Sequence, residues 1–137
     1  MFLSLAACAQ NRPNEPLLGT TWKLTSYGLA NSPKPAFPES EGMIIFGADG
    51  KVKGIGACNQ FEGDYEVKGE QITVGTINWG SENCPNPDMR QELQMSILLK
   101  DIAGFKINGN TLTLTKKMPN GHDVVITFEA VANSKGN

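Results

Sequence analysis

Four turn signals, each set between short runs that alternate apolar and polar residues, constrain this chain more than any other feature. Met43-Ile44-Ile45-Phe46 and Lys51-Val52-Lys53-Gly54-Ile55 flank Asp49-Gly50, a dipeptide suited to the positive φ angles of a tight hairpin. Asp64-Tyr65-Glu66-Val67 and Gln71-Ile72-Thr73-Val74-Gly75-Thr76-Ile77 lie either side of Lys68-Gly69, which predicts Tyr65 and Val67 facing inward opposite Ile72 and Val74. Phe105-Lys106-Ile107 and Thr111 to Thr115 bracket Asn108-Gly109-Asn110, and Val124, Ile126 and Phe128 alternate after Asn120-Gly121. Ahead of them, Trp22 and Leu24 share one face of a first strand. The reading is mainly β, about seven or eight strands joined by short turns without a βαβ rhythm, so an antiparallel sheet is expected. Rolling it into a small barrel removes its edges.

The period changes at Pro87. Met89, Leu93 and Ile97, widened by Leu98, Ile102 and Met95 or Leu99, predict one amphipathic helix over 87–101, which would cover an opening or a seam of the barrel. Asn86 suits the cap, Pro87 the first helical position, and Asp88 the first turn, where the helix dipole favours negative charge. Pro33, Pro35 and Pro38 make the stretch from Asn31 to Glu41 an exposed loop.

At 137 residues the chain accommodates one domain, and its net charge of −2, with both signs interleaved, leaves no footprint for nucleic acid. The expected organisation is a leader over 1–8, a tether over 9–16, the barrel over 17–131 and a tail over 132–137. No apolar run reaches the roughly 20 residues that span a bilayer, so membrane association needs an anchor. Leu5-Ala6-Ala7-Cys8 resembles the lipobox of bacterial lipoproteins, in which the cysteine becomes the acylated first residue. The segment ahead of Cys8 lacks Lys or Arg and is shorter than a working signal, which reads as a leader whose beginning is missing. The polar, proline-bearing stretch from Ala9 to Pro16 suits a tether.

With Cys8 assigned to lipid, Cys58 and Cys84 remain as an even pair for an oxidising compartment. A disulfide there contributes roughly 3 kcal/mol by restricting the unfolded chain. Two buried free thiols are the other state compatible with the residues. Zinc is disfavoured by a single histidine and the lack of Cys-x-x-Cys spacing.

Gly19-Thr20-Thr21-Trp22-Lys23-Leu24, the run from Met43 to Phe46, Gly56-Ala57-Cys58-Asn59-Gln60-Phe61-Glu62-Gly63-Asp64-Tyr65, and Cys84 ahead of a helix together resemble the META domain, the HslJ-like family. The resemblance runs over about residues 17–130, with the Cys-Asn-x-Phe-x-Gly-x-Tyr segment its most specific part; Asn78 to Asn83 depart from the family's Thr-rich approach to the second cysteine. It implies a lipocalin-like antiparallel barrel, carriage by bacterial envelope lipoproteins, a link to heat shock and stress, and no catalytic chemistry. Trp22, Asn59, Phe61, Gly63 and Tyr65 are the motif residues, with mainly structural roles.

Individual residues point the same way. His122 lies in the turn Asn120-Gly121-His122-Asp123 without a nucleophile motif, and Cys58 is assigned to the disulfide, so no catalytic group is proposed. Asn59 suits a turn. Gly54, Gly56 and Gly63 suit bulges or bends and lack the strand-to-helix setting of a phosphate loop. Glu62, Asp64 and Glu66 read as a solvated strand face. Trp79, in a polar Asn/Gly loop, is the candidate partner surface, the other reading being that it folds back against the helix. The expectation is a monomeric, non-enzymatic envelope protein without cofactor or metal. It is anchored through Cys8, in the outer membrane facing the periplasm, and binds an envelope protein; the alternative is a carrier of a small apolar ligand inside the barrel.

Overall fold

The computed structural model describes residues 13–38, 40–82, 84 and 86–131, with the backbone alone described for 86–88. Cys8, the leader, most of the tether and the tail over 132–137 therefore lie outside the described residues. The strands are β1 (Trp22–Leu29), β2 (Lys34–Pro35), β3 (Met43–Phe46), β4 (Lys51–Ile55), β5 (Gln60–Lys68), β6 (Gln71–Trp79), β7 (Gly104–Asn108), β8 (Thr111–Lys116) and β9 (Val124–Ala130), with the helix α1 (Asn86–Lys100) between β6 and β7. They form one antiparallel sheet in the order β2-β1-β3-β4-β5-β6-β7-β8-β9, and a β1–β9 ladder from Trp22↔Ala130 to Leu29↔Val124 closes it into a ring.

The predicted hairpins form where the turn residues placed them, although Val67, expected to face inward, is exposed near the β5–β6 turn. Gly50, Gly69, Gly109 and Gly121 all take positive φ, the conformation that side chains with a Cβ rarely adopt. β2 is a two-residue addition on β1, and its proline is tolerated because the strand is an edge.

One joint in the ring is weak. β6 and β7 share a single paired position, Gln71↔Gly104, and β7 then runs on beyond the β5–β6 turn. α1 descends alongside the rest of β6, from the far end of that strand back to the start of β7, and touches β6 and β9. Its inward residues Met95, Leu98 and Leu99, with Ile102 just beyond its end, join Trp22, Phe46, Leu112, Leu114 and Phe128 in one continuous core. A helix thus stands where a neighbouring strand is missing, one of the ways proteins cover a sheet edge.

The helix boundaries match the expectation to a residue, and Met95, Leu98, Leu99 and Ile102 of the expected stripe are buried, but its leading trio is not. Met89, Leu93 and Ile97 lie on the outer face, with Leu93 58% exposed. The core side instead begins with Gln91 and Glu92, both almost fully buried. Two apolar series are interleaved on this helix, and the one containing Leu98 and leading to Ile102 is the buried one.

Candidate functional site

Gln91 and Glu92 clamp α1 onto the two loops at the end of the ring where β4 meets β5. Glu92 Oε1 accepts the backbone N–H groups of Ala57 at 3.1 Å, Cys58 at 3.0 Å and Asn59 at 2.8 Å, and Oε2 accepts Asn59 Nδ2 at 2.6 Å. Three consecutive N–H groups aimed at one point form a backbone nest, a natural anion site. Here the anion is the protein's own carboxylate. Both of its oxygens face donors only, the arrangement that fits the ionised form.

Asn59 relays the clamp. Its Oδ1 accepts the Glu82 N–H at 2.6 Å, which fixes the amide with its NH2 toward Glu92. Beside it, Cys58 and Cys84 are joined by a disulfide with their Cα atoms 6.1 Å apart. Covalent and electrostatic ties therefore converge on the same turn. Gln91 does the equivalent on the other side: Nε2 donates to Ser40 Oγ at 2.8 Å and to Gly56 O at 3.0 Å, while Oε1 accepts the Phe37 N–H at 2.7 Å.

The motif glycines fit close approaches. A Cβ on Gly56 would meet Glu92 Cγ at 2.6 Å and Trp79 Cζ3 at 2.8 Å, and one on Gly54 would strike Met43 O and the Phe61 ring. At Gly63 the β5–β6 register shifts, and a Cβ would meet Thr76 O at 2.8 Å. Trp79 is the last residue of β6, not part of a loop; its ring lies 4.7 Å from that of Phe61 and is half-buried. Trp22 is fully buried with its indole N–H on Leu17 O. Tyr65 packs edge-on to Phe46 with ring centroids 5.0 Å apart and donates its hydroxyl to Gly47 O. Burial first, and Asp49 second, raise the Tyr65 phenol above its ordinary value.

Outside the ring, the register aligns Ile45, Lys53, Glu62 and Asn78 in one row across β3 to β6. With Ile55 and Trp79 they border an open furrow of about 600 Å³. Glu62, Asp64 and Glu66 are exposed along β5, and Asp64 pairs with Lys51 at 2.7 Å, the hydrogen bond that most raises the Lys51 ammonium. His122 is exposed, its N–H on Asn120 Oδ1. Among the described residues, no group of three or more His, Cys, Asp or Glu side chains is placed to hold a metal ion.

The site therefore unites Asn59, the disulfide and, at its rim, Trp79, but its central residues, Gln91 and Glu92, were missed. Their signal was present: a polar pair three and four residues ahead of Met95, on the Leu98/Ile102 face of the helix.

The model of the META domain matches residues 15–132. The chain belongs to the META domain family. Among solved structures, this META domain chain is similar to a protein from Burkholderia xenovorans determined by NMR, at 19% identity, over 90% of this chain and 92% of that one, with a TM-score of 0.67. It is also similar to a DUF4847 family protein from Bacteroides vulgatus, at 17% identity, over 86% and 96% of the two chains, with a TM-score of 0.59. A further NMR structure gives 22% identity, 82% and 90% coverage and a TM-score of 0.59. At these identities the likeness speaks for the fold. No curated protein matches the META domain chain by sequence.

Proposed function

We propose that this META domain protein is a non-enzymatic, lipid-anchored module of the bacterial cell envelope. It is held through Cys8 at the periplasmic face of the outer membrane and engages an envelope protein, in the setting of stress responses that the family resemblance implies. The observation that favours an outer working surface over the interior-carrier reading is the filled interior. Trp22, Leu112, Leu114 and Phe128 have no exposed surface and pack as one cluster, which favours a working surface on the outside over an apolar ligand held within. The furrow at Trp79, where apolar Ile45 and Ile55 adjoin Lys53, Glu62 and Asn78, supplies such a surface. The disulfide supports an oxidising compartment. Among the described residues no helix is long and apolar enough to cross a membrane, so attachment in this reading rests on Cys8.

Metabolic labelling with palmitate in the cells that make the protein tests the anchor. Label that follows the protein into the membrane fraction and is lost in Cys8→Ser supports it; unlabelled, soluble wild-type protein rejects it.

A further inference from the structure

The end of the ring opposite the Glu92 clamp is apolar, and the chain's N-terminal segment leaves from it. Leu17 and Leu18 enter beneath the β3–β4 turn, where Leu18 bridges Phe46 and the Gly19 N–H bonds Phe46 O. With Ala48, Tyr65, Val67 and Phe105 they line a shallow groove of about 360 Å³. Leu18 and Val67 are 46% and 38% exposed, and Val131, tied at this end by its N–H to Thr21 O, is 45% exposed. Three of the seven exposed large apolar side chains in the described residues thus gather at one end.

We propose that this end of the domain rests on a lipid bilayer. The proposal rests on the anchored reading above and adds how the domain is oriented. Its carrying observation is where the outside chain departs. The Glu15 N–H bonds Gly109 O, and the Gly109 N–H bonds Asn14 Oδ1, so the chain is fixed to the β7–β8 turn at the apolar end. From Glu15 back to Cys8 the chain spans at most about 25 Å fully extended. A lipid on Cys8 therefore keeps this end near the membrane and leaves the clamp and the Trp79 furrow on the far side. The apolar patch is too small to hold the protein on a bilayer alone, but a short tether converts its contact into an intramolecular one. Charges at this end are mixed: Glu15, Asp49, the paired Lys51 and Asp64, Lys68 and Glu70. A zwitterionic surface suits them, and docking is expected to be insensitive to salt.

Cys8 is the one cysteine outside the Cys58–Cys84 pair, so it can be coupled chemically to a maleimide lipid in phosphatidylcholine vesicles. This tests orientation independently of whether cells lipidate the residue, which palmitate labelling decides separately. Hydrogen exchange of the coupled full-length chain is compared with that of the free chain. The expected result is several-fold slower exchange in segments 17–20, 47–51 and 65–70, unchanged exchange at 55–60, and loss of the protection in Leu18→Asp/Val67→Asp or the milder Leu18→Ser/Val67→Thr. Three results would overturn the proposal: exchange equal to the free protein throughout, protection at 89–97 on the outer helix face instead, or the same protection in concentrated protein without vesicles, which assigns the patch to a second copy.

Discussion

Replacing Glu92 by Gln keeps the shape of the clamp but changes its polarity. The three N–H groups at Oε1 still find an acceptor if the new amide oxygen faces them. The new NH2 then points at Asn59 Nδ2 from 2.6 Å, donor against donor, and Asn59 cannot turn over because its Oδ1 holds the Glu82 N–H. With Glu92 and Asn59 only 6% and 3% exposed, water has little access to repair the mismatch. Glu92→Gln is therefore expected to lose about 2–3 kcal/mol, the scale of a charge-assisted hydrogen bond plus a buried donor left unpaired. Asn59→Asp alone sets a second carboxylate against Glu92 and is expected to lose roughly 3 kcal/mol or more. The two together restore complementarity, since the new amide at position 92 can donate to the new carboxylate at position 59, which still accepts the Glu82 N–H. The expected coupling between the substitutions is at least about 2 kcal/mol in the stabilising direction. Urea unfolding of the four proteins, with slopes compared to confirm the same transition, measures it. Additive losses would mean that positions 59 and 92 do not act as a donor–acceptor pair.

Other outcomes follow from the same structure. Leu93→Gln on the outer face of α1 is expected to change stability by less than about 0.5 kcal/mol, whereas Leu99→Ala on its inner face loses about 2–5 kcal/mol; a larger loss at Leu93 than at Leu99 in denaturant titrations would mean the helix is turned the other way. Cys58→Ser/Cys84→Ser is expected to lose about 3 kcal/mol, measured against the oxidised protein by thermal and urea unfolding. Because burial raises the Tyr65 phenol, the folded state holds that proton more tightly than the unfolded chain. Its contribution to stability is complete below the unfolded tyrosine value of about 10 and falls as pH climbs through the raised folded value, so Tyr65→Phe should flatten the alkaline decline in stability. The phenolate absorbance that the variant lacks should titrate above the ordinary tyrosine value of about 10. Gly54→Ala should lose about 1–3 kcal/mol or fail to fold, as seen by circular dichroism, because its Cβ meets backbone and a buried ring.

The hairpins were legible because their signals are local. Asp49-Gly50 and Asn108-Gly109-Asn110 demand positive φ where they stand, and the alternation on either side of them decides which face is buried. That the sheet closes was expected from its exposed edges, but which strands close it was not legible, since β1 and β9 pair residues as distant as Trp22 and Ala130 and nothing in either strand alone names its partner. The disulfide could be expected by elimination because only three cysteines were available. The helix was bounded correctly by its start signals, and its buried stripe was centred too far toward Leu93 because apolar periodicity ranks Leu93 above Glu92. Burial of Glu92 depends on three backbone N–H groups from a turn more than thirty residues earlier. Polar residues on a core face become intelligible only when their partners arrive from elsewhere in the chain. For the same reason Trp79 read as a loop residue, although its ring is held by Phe61 from the neighbouring strand.

Intact mass spectrometry of the protein taken from its own cells' membrane fraction, under native and non-reducing conditions, tests anchoring, oxidation and the filled interior together. The expected species begins at an acylated Cys8, lies two hydrogens below the reduced mass because of Cys58–Cys84, and carries no small-molecule adduct. A free Cys8 thiol on a protein recovered from the soluble fraction, or a retained apolar adduct that survives gentle desolvation, would contradict it.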